Sequence, residues 1–347
     1  MSDGYTVAVV GAGAVGVEMV RVLRERQFPV KELRILARSD REMEIDGETY
    51  QVRATTPEAF DGVDVALFAG TEGEKGAAVT YGQEAVRRGA VVIDNGSDFR
   101  LDPTVPLVVP EVNGEDVLNH SGFIANPNCS TIQMVHALKP LHDLSPIRRI
   151  VVSTYQSVSG AGAPAVRELE AQVKAVANGE AQPECENIPA QLAMNVLAGC
   201  WKFRDNGYQA EEWKMILETH KILHDDSIRI TPTTVRVPVS VGHAESVYLE
   251  TDRKITADEA RAALAAFPNL RVVDDPVPTE KDGNARSYPT PLDAVGISET
   301  LVGRIREDPY VETGLCLWVV ADNLRKGAAQ NAVQIAEELV ARGCLRS

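Results

Sequence analysis

Positive charge is scarce in this chain of 347 residues: 35 lysines and arginines face 50 aspartates and glutamates, a formal net charge of −15 at pH 7 with histidine neutral. Such a balance repels polyanions at long range, which argues against nucleic-acid or anionic-membrane partners while still allowing a local basic pocket for a small phosphate. Cysteine is sparse too. The five, at positions 129, 185, 200, 316 and 344, include no Cys-x-x-Cys pair, so neither a disulfide framework nor a thiolate zinc site is expected. No stretch approaches the roughly 18–20 uninterrupted apolar residues of a membrane helix. The opening Met1-Ser2-Asp3-Gly4-Tyr5 lacks a basic segment before its glycine-broken apolar run, so no signal peptide is expected. A cytoplasmic protein with a small-molecule partner is the expectation. With 44% hydrophobic residues the chain can bury real cores, and at about 100–200 residues per domain its length suggests about two.

Hydrophobic patterning separates two textures. Thr6–Val10 reads as a strand, followed by a glycine turn and a helix carrying Val17, Met19, Val20 and Leu23. Leu33–Ala37, Val63–Phe68 and Ala90–Asp94 read as second, third and fourth strands, with a helix over Tyr81–Gly89 capped by its glycine. Strands alternating with helices imply an α/β fold with a mostly parallel, doubly wound sheet. Prolines 103, 106, 110 and 127 mark a boundary. Beyond it, Arg149–Tyr155, Thr233–Val239 and Glu245–Thr251 alternate apolar and polar as a half-buried sheet does, and helices are predicted over Ala165–Asn178, with a Val166, Leu169, Val173, Val176 stripe, and Ala257–Phe267. This second domain is expected to be α+β with a mixed, largely antiparallel sheet. The domains are placed at 1–127 and 128–323, the first completed by a C-terminal helix within 324–347.

Four groups of residues carry chemistry. Gly11-Ala12-Gly13-Ala14-Val15-Gly16 fits the Gly-x-Gly-x-x-Gly turn that brings backbone N–H groups to a pyrophosphate at a helix N-terminus. The second strand ends Ala37-Arg38-Ser39 where an acidic residue would select a ribose 2′-hydroxyl; a guanidinium beside a hydroxyl suits a 2′-phosphate, so NADP is favoured over NAD. Cys129, in Pro127-Asn128-Cys129-Ser130-Thr131, opens a predicted helix. An ordinary thiol is only roughly 3% thiolate at pH 7, and a helix dipole lowers its pKa by at most about 1.5 units, so a second activating group is expected. His243, after Gly242, is the best partner, although a lone histidine is more often structural. Arg236, between apolar neighbours before Pro238, suits a bidentate clamp on a carboxylate. Seven residues separate Arg236 from His243, which in one unbroken strand would set them on opposite faces; Pro238 and Gly242 leave that open. The loop Ser153 to Gly162 offers N–H groups to an anion or a cofactor. His220 and His224 have zinc spacing but no third ligand, so a solvated helix face is the better reading and no metal is expected.

Taken together with Asp94–Arg100, Val105–Asn113, Asn126–Thr131, Ser153–Gly162, Val235–Glu245 and Asp322–Ala329, these residues resemble the aspartate-semialdehyde dehydrogenase family over essentially the whole chain. The resemblance implies a Rossmann-type NADP-binding domain, a catalytic and dimerisation domain, and a homodimer. It implies that Cys129 is the acyl-thioester nucleophile, His243 the general acid/base and Gln156 the residue that orients the substrate. It further assigns the substrate carboxylate to Arg236 and the amino group to Glu218. Arg100, Asn128 and Lys221 would line a phosphate pocket, and Ser159, Gly160 and Asn323 would touch the cofactor. The implied reaction converts L-aspartyl 4-phosphate to L-aspartate 4-semialdehyde and phosphate, in lysine, threonine and methionine biosynthesis.

The chain departs from the family's Gly-Ala-Thr-Gly-Ala-Val-Gly turn by one residue, is shortened around Arg38, and carries Glu72 and Glu74 in the loop Phe68–Gly76, near where cofactor phosphates are expected. These changes bear on NADP against NAD, not on the chemical residues. Two other readings stay open. An acyl-phosphate reductase for a longer, acetylated chain is disfavoured by Glu218, which suits a free ammonium. A non-catalytic scaffold is disfavoured by the joint presence of Cys129, Gln156, Arg236 and His243.

Overall fold

The computed structural model describes residues 4–70, 73–274 and 287–345. Its first half runs β1 (Tyr5–Val10), α1 (Ala14–Glu25), β2 (Val30–Ala37), β3 (Arg41–Ile45), β4 (Glu48–Ala54), β5 (Val65–Phe68), α2 (Ala77–Arg87), β6 (Val91–Asp94), α3 (Pro110–Asn113), β7 (Phe123–Ala125), α4 (Cys129–Leu144), β8 (Ile147–Gln156) and α5 (Ala163–Asn178). It continues through α6 (Ala210–Leu223), β9 (Arg229–Arg236), β10 (His243–Thr251), α7 (Ala257–Ala266), β11 (Leu270–Val272), α8 (Pro291–Ala294), β12 (Thr300–Glu307), β13 (Gly314–Ala321) and α9 (Gln330–Ala341). The chain divides into two compact units, residues 1–128 with 328–347, and residues 129–327. Among the described residues no helix is long and apolar enough to cross a membrane.

The first unit is built on a seven-stranded sheet in the order β3-β4-β2-β1-β5-β6-β7. Every pairing except β3 with β4 is parallel. The central strands β1, β5 and β6 are buried throughout, as parallel strands covered on both faces must be, and their apolar, largely β-branched sequences meet that demand. Met19, Val20 and Leu23 of α1 and Ala332, Ile335 and Leu339 of α9 join the same core.

The sequence reading has no strands between Ala37 and Val63, yet β3 and β4 form a hairpin there. Ile45 pairs with Glu48 across a two-residue turn, and Asp46 and Gly47 both have positive φ, 51° and 82°. This is the primed turn that Asp-Gly favours. The strands escaped the pattern because they lie at the sheet edge and are mostly exposed. The glycine cap of α2 is as expected: Gly89, two residues past the helix end, has φ +100°.

The second unit holds a six-stranded mixed sheet, β11-β12-β13-β10-β8-β9, parallel at its two outer pairs and antiparallel between. One face packs Ile150, Val152, Val247 and Leu249 against Met134, Leu138 and Leu141 of α4. Strands β11 to β13 and helix α6 are additions to the elements read from sequence.

Helix α5 corrects a predicted stripe. Val173 and Val176 are exposed, at 50% and 39%, and the buried side carries Ala165, Glu168, Leu169 and Gln172 instead. The reason is a polar one. Gln172 Oε1 accepts the Leu192 and Ala193 amides at 2.8 and 3.1 Å, while Glu168 Oε2 accepts the Glu186 and Asn187 amides. These side chains satisfy a loop that would otherwise bury unpaired N–H groups. Gln172→Ala is expected to cost about 1–3 kcal/mol in denaturant unfolding, whereas Val173→Ala stays within about 0.5 kcal/mol.

Candidate active site

Within the second unit, α4 begins at Cys129 itself, so the thiol sits where the helix dipole favours negative charge. The cysteine is half-buried. Its backbone is approached so closely by Gly327 that a Cβ added there would lie 3.0 Å from the Cys129 Cβ and 3.6 Å from the Asn323 Cβ. Glycine at 327 is therefore what lets the helix of Cys129 and Asn323 come together.

Asn323 is a hub. Its Oδ1 accepts the Ser157 and Ser159 hydroxyls and the Gly242 amide at 3.0, 3.2 and 2.9 Å, and its Nδ2 is bonded to Ser159 Oγ at 2.9 Å. The residue is 3% exposed, and these bonds hold the loop after β8 against the turn before β10. Ser159, 7% exposed, belongs to the same network.

Gln156, Arg236 and His243 converge from three strands. Gln156 ends β8 and Arg236 ends β9, and the two are register partners. His243 begins β10, on the other side of β8. The question of opposite faces is thus answered: the chain leaves the sheet between Val237 and Gly242, so Arg236 and His243 belong to two strands with β8 between them. All three are buried. Gly160 is the point on which Arg236 and His243 close, since a Cβ there would lie 3.4 Å from Arg236 Nη1 and 3.6 Å from His243 Nε2.

The imidazole's protonation follows from its partners. The Ser157 backbone N–H donates to His243 Nδ1 at 3.0 Å. A backbone amide only donates, so Nδ1 is an acceptor and the neutral ring carries its proton on Nε2. Nε2 is itself buried with no protein partner. Burial first, and the charge of Arg236 second, hold the ring well below the ordinary histidine range. The result is a neutral N–H donor aimed at the space beside Gly160. Arg236 Nη1 donates to the Ser157 carbonyl at 2.5 Å, so one residue anchors both groups.

Helix α6 supplies a residue that the sequence reading missed. Gln156 Nε2 donates to Glu211 Oε1 at 3.1 Å, and Lys214 lies 3.7 Å from Glu211 Oε2. Glu218 is also buried, but seven residues are two turns, about 10 Å further along the helix. Lys221 is further still. The Glu-x-x-Lys spacing occurs twice on α6, and it is the first copy, not Glu218 and Lys221, that lies beside Gln156. His220 Nε2 donates to the Ile228 carbonyl at 2.8 Å, so its ring ties α6 to β9. Among the described residues no group of three metal-ligating side chains is found.

The first unit has its own cleft, of about 580 Å³, lined by Gly11, Ala12 and Gly13 with Arg38, Arg41 and Lys75 among others. The three turn glycines do different work. Gly11 has φ +115°, Gly13 faces open space, and a Cβ on Gly16 would strike the Gly11 carbonyl at 1.7 Å. Gly13 thus leaves room for a ligand backbone-close, and Gly16 lets α1 begin against β1. Ala14 and Val15 form the first turn of α1. Arg38 and Ser39 are exposed just beyond β2. Arg100 is buried and donates to the Asn95 carbonyl at 2.7 Å, and Asn128 is buried. In the loop Phe68–Gly76, Thr71 and Glu72 lie outside the described residues.

Both units match known proteins. Residues 6–120 match the family model for the semialdehyde dehydrogenase NAD binding domain, and residues 138–326 the one for the semialdehyde dehydrogenase dimerisation domain. The aspartate-semialdehyde dehydrogenase of Aquifex aeolicus is 49% identical over 350 residues, covering 99% of this chain and 100% of the relative. That of Bacillus subtilis is 46% identical over 352 residues, covering 98% of each. The crystal structure of aspartate semialdehyde dehydrogenase II from Vibrio cholerae, complexed with ASA, superposes with a TM-score of 0.91 at 44% identity, covering 98% of this chain and 99% of that one. With both domains matched and full-length relatives near half identity, the chain belongs to the aspartate-semialdehyde dehydrogenase family.

Proposed function

We propose that this chain carries out the NADP-dependent reductive dephosphorylation of L-aspartyl 4-phosphate to L-aspartate 4-semialdehyde through a thioester on Cys129, as a cytoplasmic homodimer in lysine, threonine and methionine biosynthesis. The observation that carries the reading is the neutral Nε2–H of His243, held by the Ser157 amide in the network that Asn323 ties to Gly327 and so to Cys129. The Cys129 sulfur attacks the acyl carbon, phosphate leaves and a thioester remains. A bound nicotinamide cofactor supplies the hydride. His243 Nε2–H then donates a hydrogen bond to the oxygen on which negative charge develops, and the C–S bond breaks to give aldehyde and thiolate. The collapse returns the thiolate, so a donor at this oxygen serves each turnover without a strong base.

Arg236 is assigned the substrate's α-carboxylate and Gln156 its orientation. Glu211 replaces Glu218 for the ammonium and Lys214 replaces Lys221 for phosphate, because the first pair lies beside Gln156; Arg100 and Asn128 keep their phosphate assignment. The cofactor fits the first unit's cleft: Gly11 to Gly16 suit a pyrophosphate, and Arg38 with Arg41 suits a ribose 2′-phosphate, with Ser39 as a hydroxyl partner. Ser159, Gly160 and Asn323 are assigned to the nicotinamide end.

Steady-state assay with L-aspartate 4-semialdehyde and phosphate is expected to reduce NADP in preference to NAD, and Cys129→Ser to lose at least about two orders of magnitude in kcat; equal use of NAD would remove the 2′-phosphate role of Arg38. Glu211→Gln is expected to raise the semialdehyde KM at least about tenfold while Glu218→Gln changes it less. The pH profile follows from His243. Its imidazole is neutral at and below its ordinary value, so the acid limb of kcat/KM falls below about pH 6.5. Between the lowered native value and about 6.5 the unfolded chain binds one more proton here, so stability rises with pH by up to about 1.4 kcal/mol per unit. Buried Glu245, pushed well above the usual carboxylate range, contributes the opposite slope. The difference between wild type and His243→Asn therefore isolates the histidine.

A further inference from the structure

The segment from Leu197 to Trp201 straps across Arg236. Leu197 and Arg236 exchange both backbone hydrogen bonds, at 2.9 and 2.8 Å, in an isolated bridge outside the sheet. Four residues on, the Trp201 indole lies over the guanidinium, with Arg236 Cζ 4.6 Å from the ring centroid. The strap's other end is tied to α6. Trp201 N–H donates to Gln209 Oε1 at 3.2 Å and Gln209 Nε2 donates to the Ala198 carbonyl at 2.9 Å. Gln209 in turn caps the helix whose first turn carries Glu211.

We propose that Trp201 is a specificity-determining positioning residue, whose indole covers one face of the Arg236 guanidinium and fixes the plane in which that group receives the α-carboxylate of an amino-acid substrate. The inference rests on the carboxylate role given to Arg236 above. A guanidinium binds a carboxylate through two parallel N–H···O bonds lying in its own plane, so the plane's orientation sets where the substrate's α-carbon goes. The bond from Nη1 to the Ser157 carbonyl and the neighbouring Cys200 thiol hold the edge of the group. A ring against the flat face limits tilting out of that plane and shields the cation from water, and the cation–π attraction is stronger once water is excluded. Cys200 does not compete for the charge. Burial pushes its thiol up by more than the neighbouring guanidinium pulls it down, so it stays neutral.

Through Gln209 the same strap connects the carboxylate end of the site to the ammonium end. A substrate with both groups on one carbon is therefore read by parts held in register.

The test is steady-state kinetics with L-aspartate 4-semialdehyde, phosphate and NADP on Trp201→Leu, Trp201→Phe, Arg236→Leu and the Trp201→Leu/Arg236→Leu double variant. Trp201→Leu is expected to raise the semialdehyde KM about tenfold, with kcat within about twofold and the phosphate KM unchanged. Trp201→Phe keeps a ring and restores most of the difference, and in the Arg236→Leu background the Trp201→Leu change adds nothing. The inference is overturned if the Leu penalty is not relieved by Phe, or persists undiminished without the guanidinium, since a strap that merely holds the loop acts with or without Arg236. If Arg236→Leu raises the semialdehyde KM and Trp201→Leu does not, Trp201 alone is wrong; if Arg236→Leu leaves that KM unchanged, the carboxylate assignment falls and takes the inference with it.

Discussion

One hydrogen bond sets the character of the second unit's chemistry: the backbone amide of Ser157 pointing into the imidazole of His243. Side-chain hydroxyls turn and amide side chains flip, but a peptide N–H has a fixed sense, so the ring nitrogen it meets has to be the bare one. Everything around the bond supports that state. The site is buried, the neighbouring Arg236 is cationic, and Asn323 closes the loop from the far side. An imidazolium there would lose an acceptor, face a like charge and forgo hydration together. Burial, the neighbouring cation and the donated amide together leave His243 a neutral ring with its proton on Nε2 rather than an imidazolium.

Much of this arrangement was legible in the sequence, and the parts that were not share a cause. Cys129 announced itself through a polar approach after a proline and a helical period behind it. The parallel sheet was visible because its central strands are buried on both faces and so read as continuous apolar runs. Arg236 and His243 were visible as residue types, but their common destination depends on where the chain leaves the sheet, and a proline and a glycine four residues apart do not say which strand follows. Glu211 and Glu218 are the sharpest case. They lie seven apart, each with a lysine three residues on, so helical periodicity cannot distinguish them. What separates them is a Gln156 side chain from β8, packed opposite one and not the other. Gln172 of α5 is similar: its inward turn is dictated by two amides of a loop 20 residues away, and amphipathic patterning carries no trace of it.

Glycine is the other economy of the molecule, and three positions show three purposes. Gly327 lets Asn323 and Cys129 share a wall, Gly160 gives Arg236 and His243 a common floor, and Gly16 admits the first helix against the first strand. Each is a place where a methyl group would press on atoms already in position, and none would be singled out by composition.

The placement of β8 between β9 and β10 has a consequence for how such a chain changes over evolutionary time. Gln156 sits in the active row because of its phase along β8, and its neighbour Tyr155 points to the opposite, half-open face, where it meets Trp318. Inserting one residue before Tyr155 in this strand would bring its ring to the place of the Gln156 amide, and deleting one would bring Ser157 there. A change of length is therefore accommodated in the connections rather than in the strand, because the alternation of side chains decides which residue faces the site.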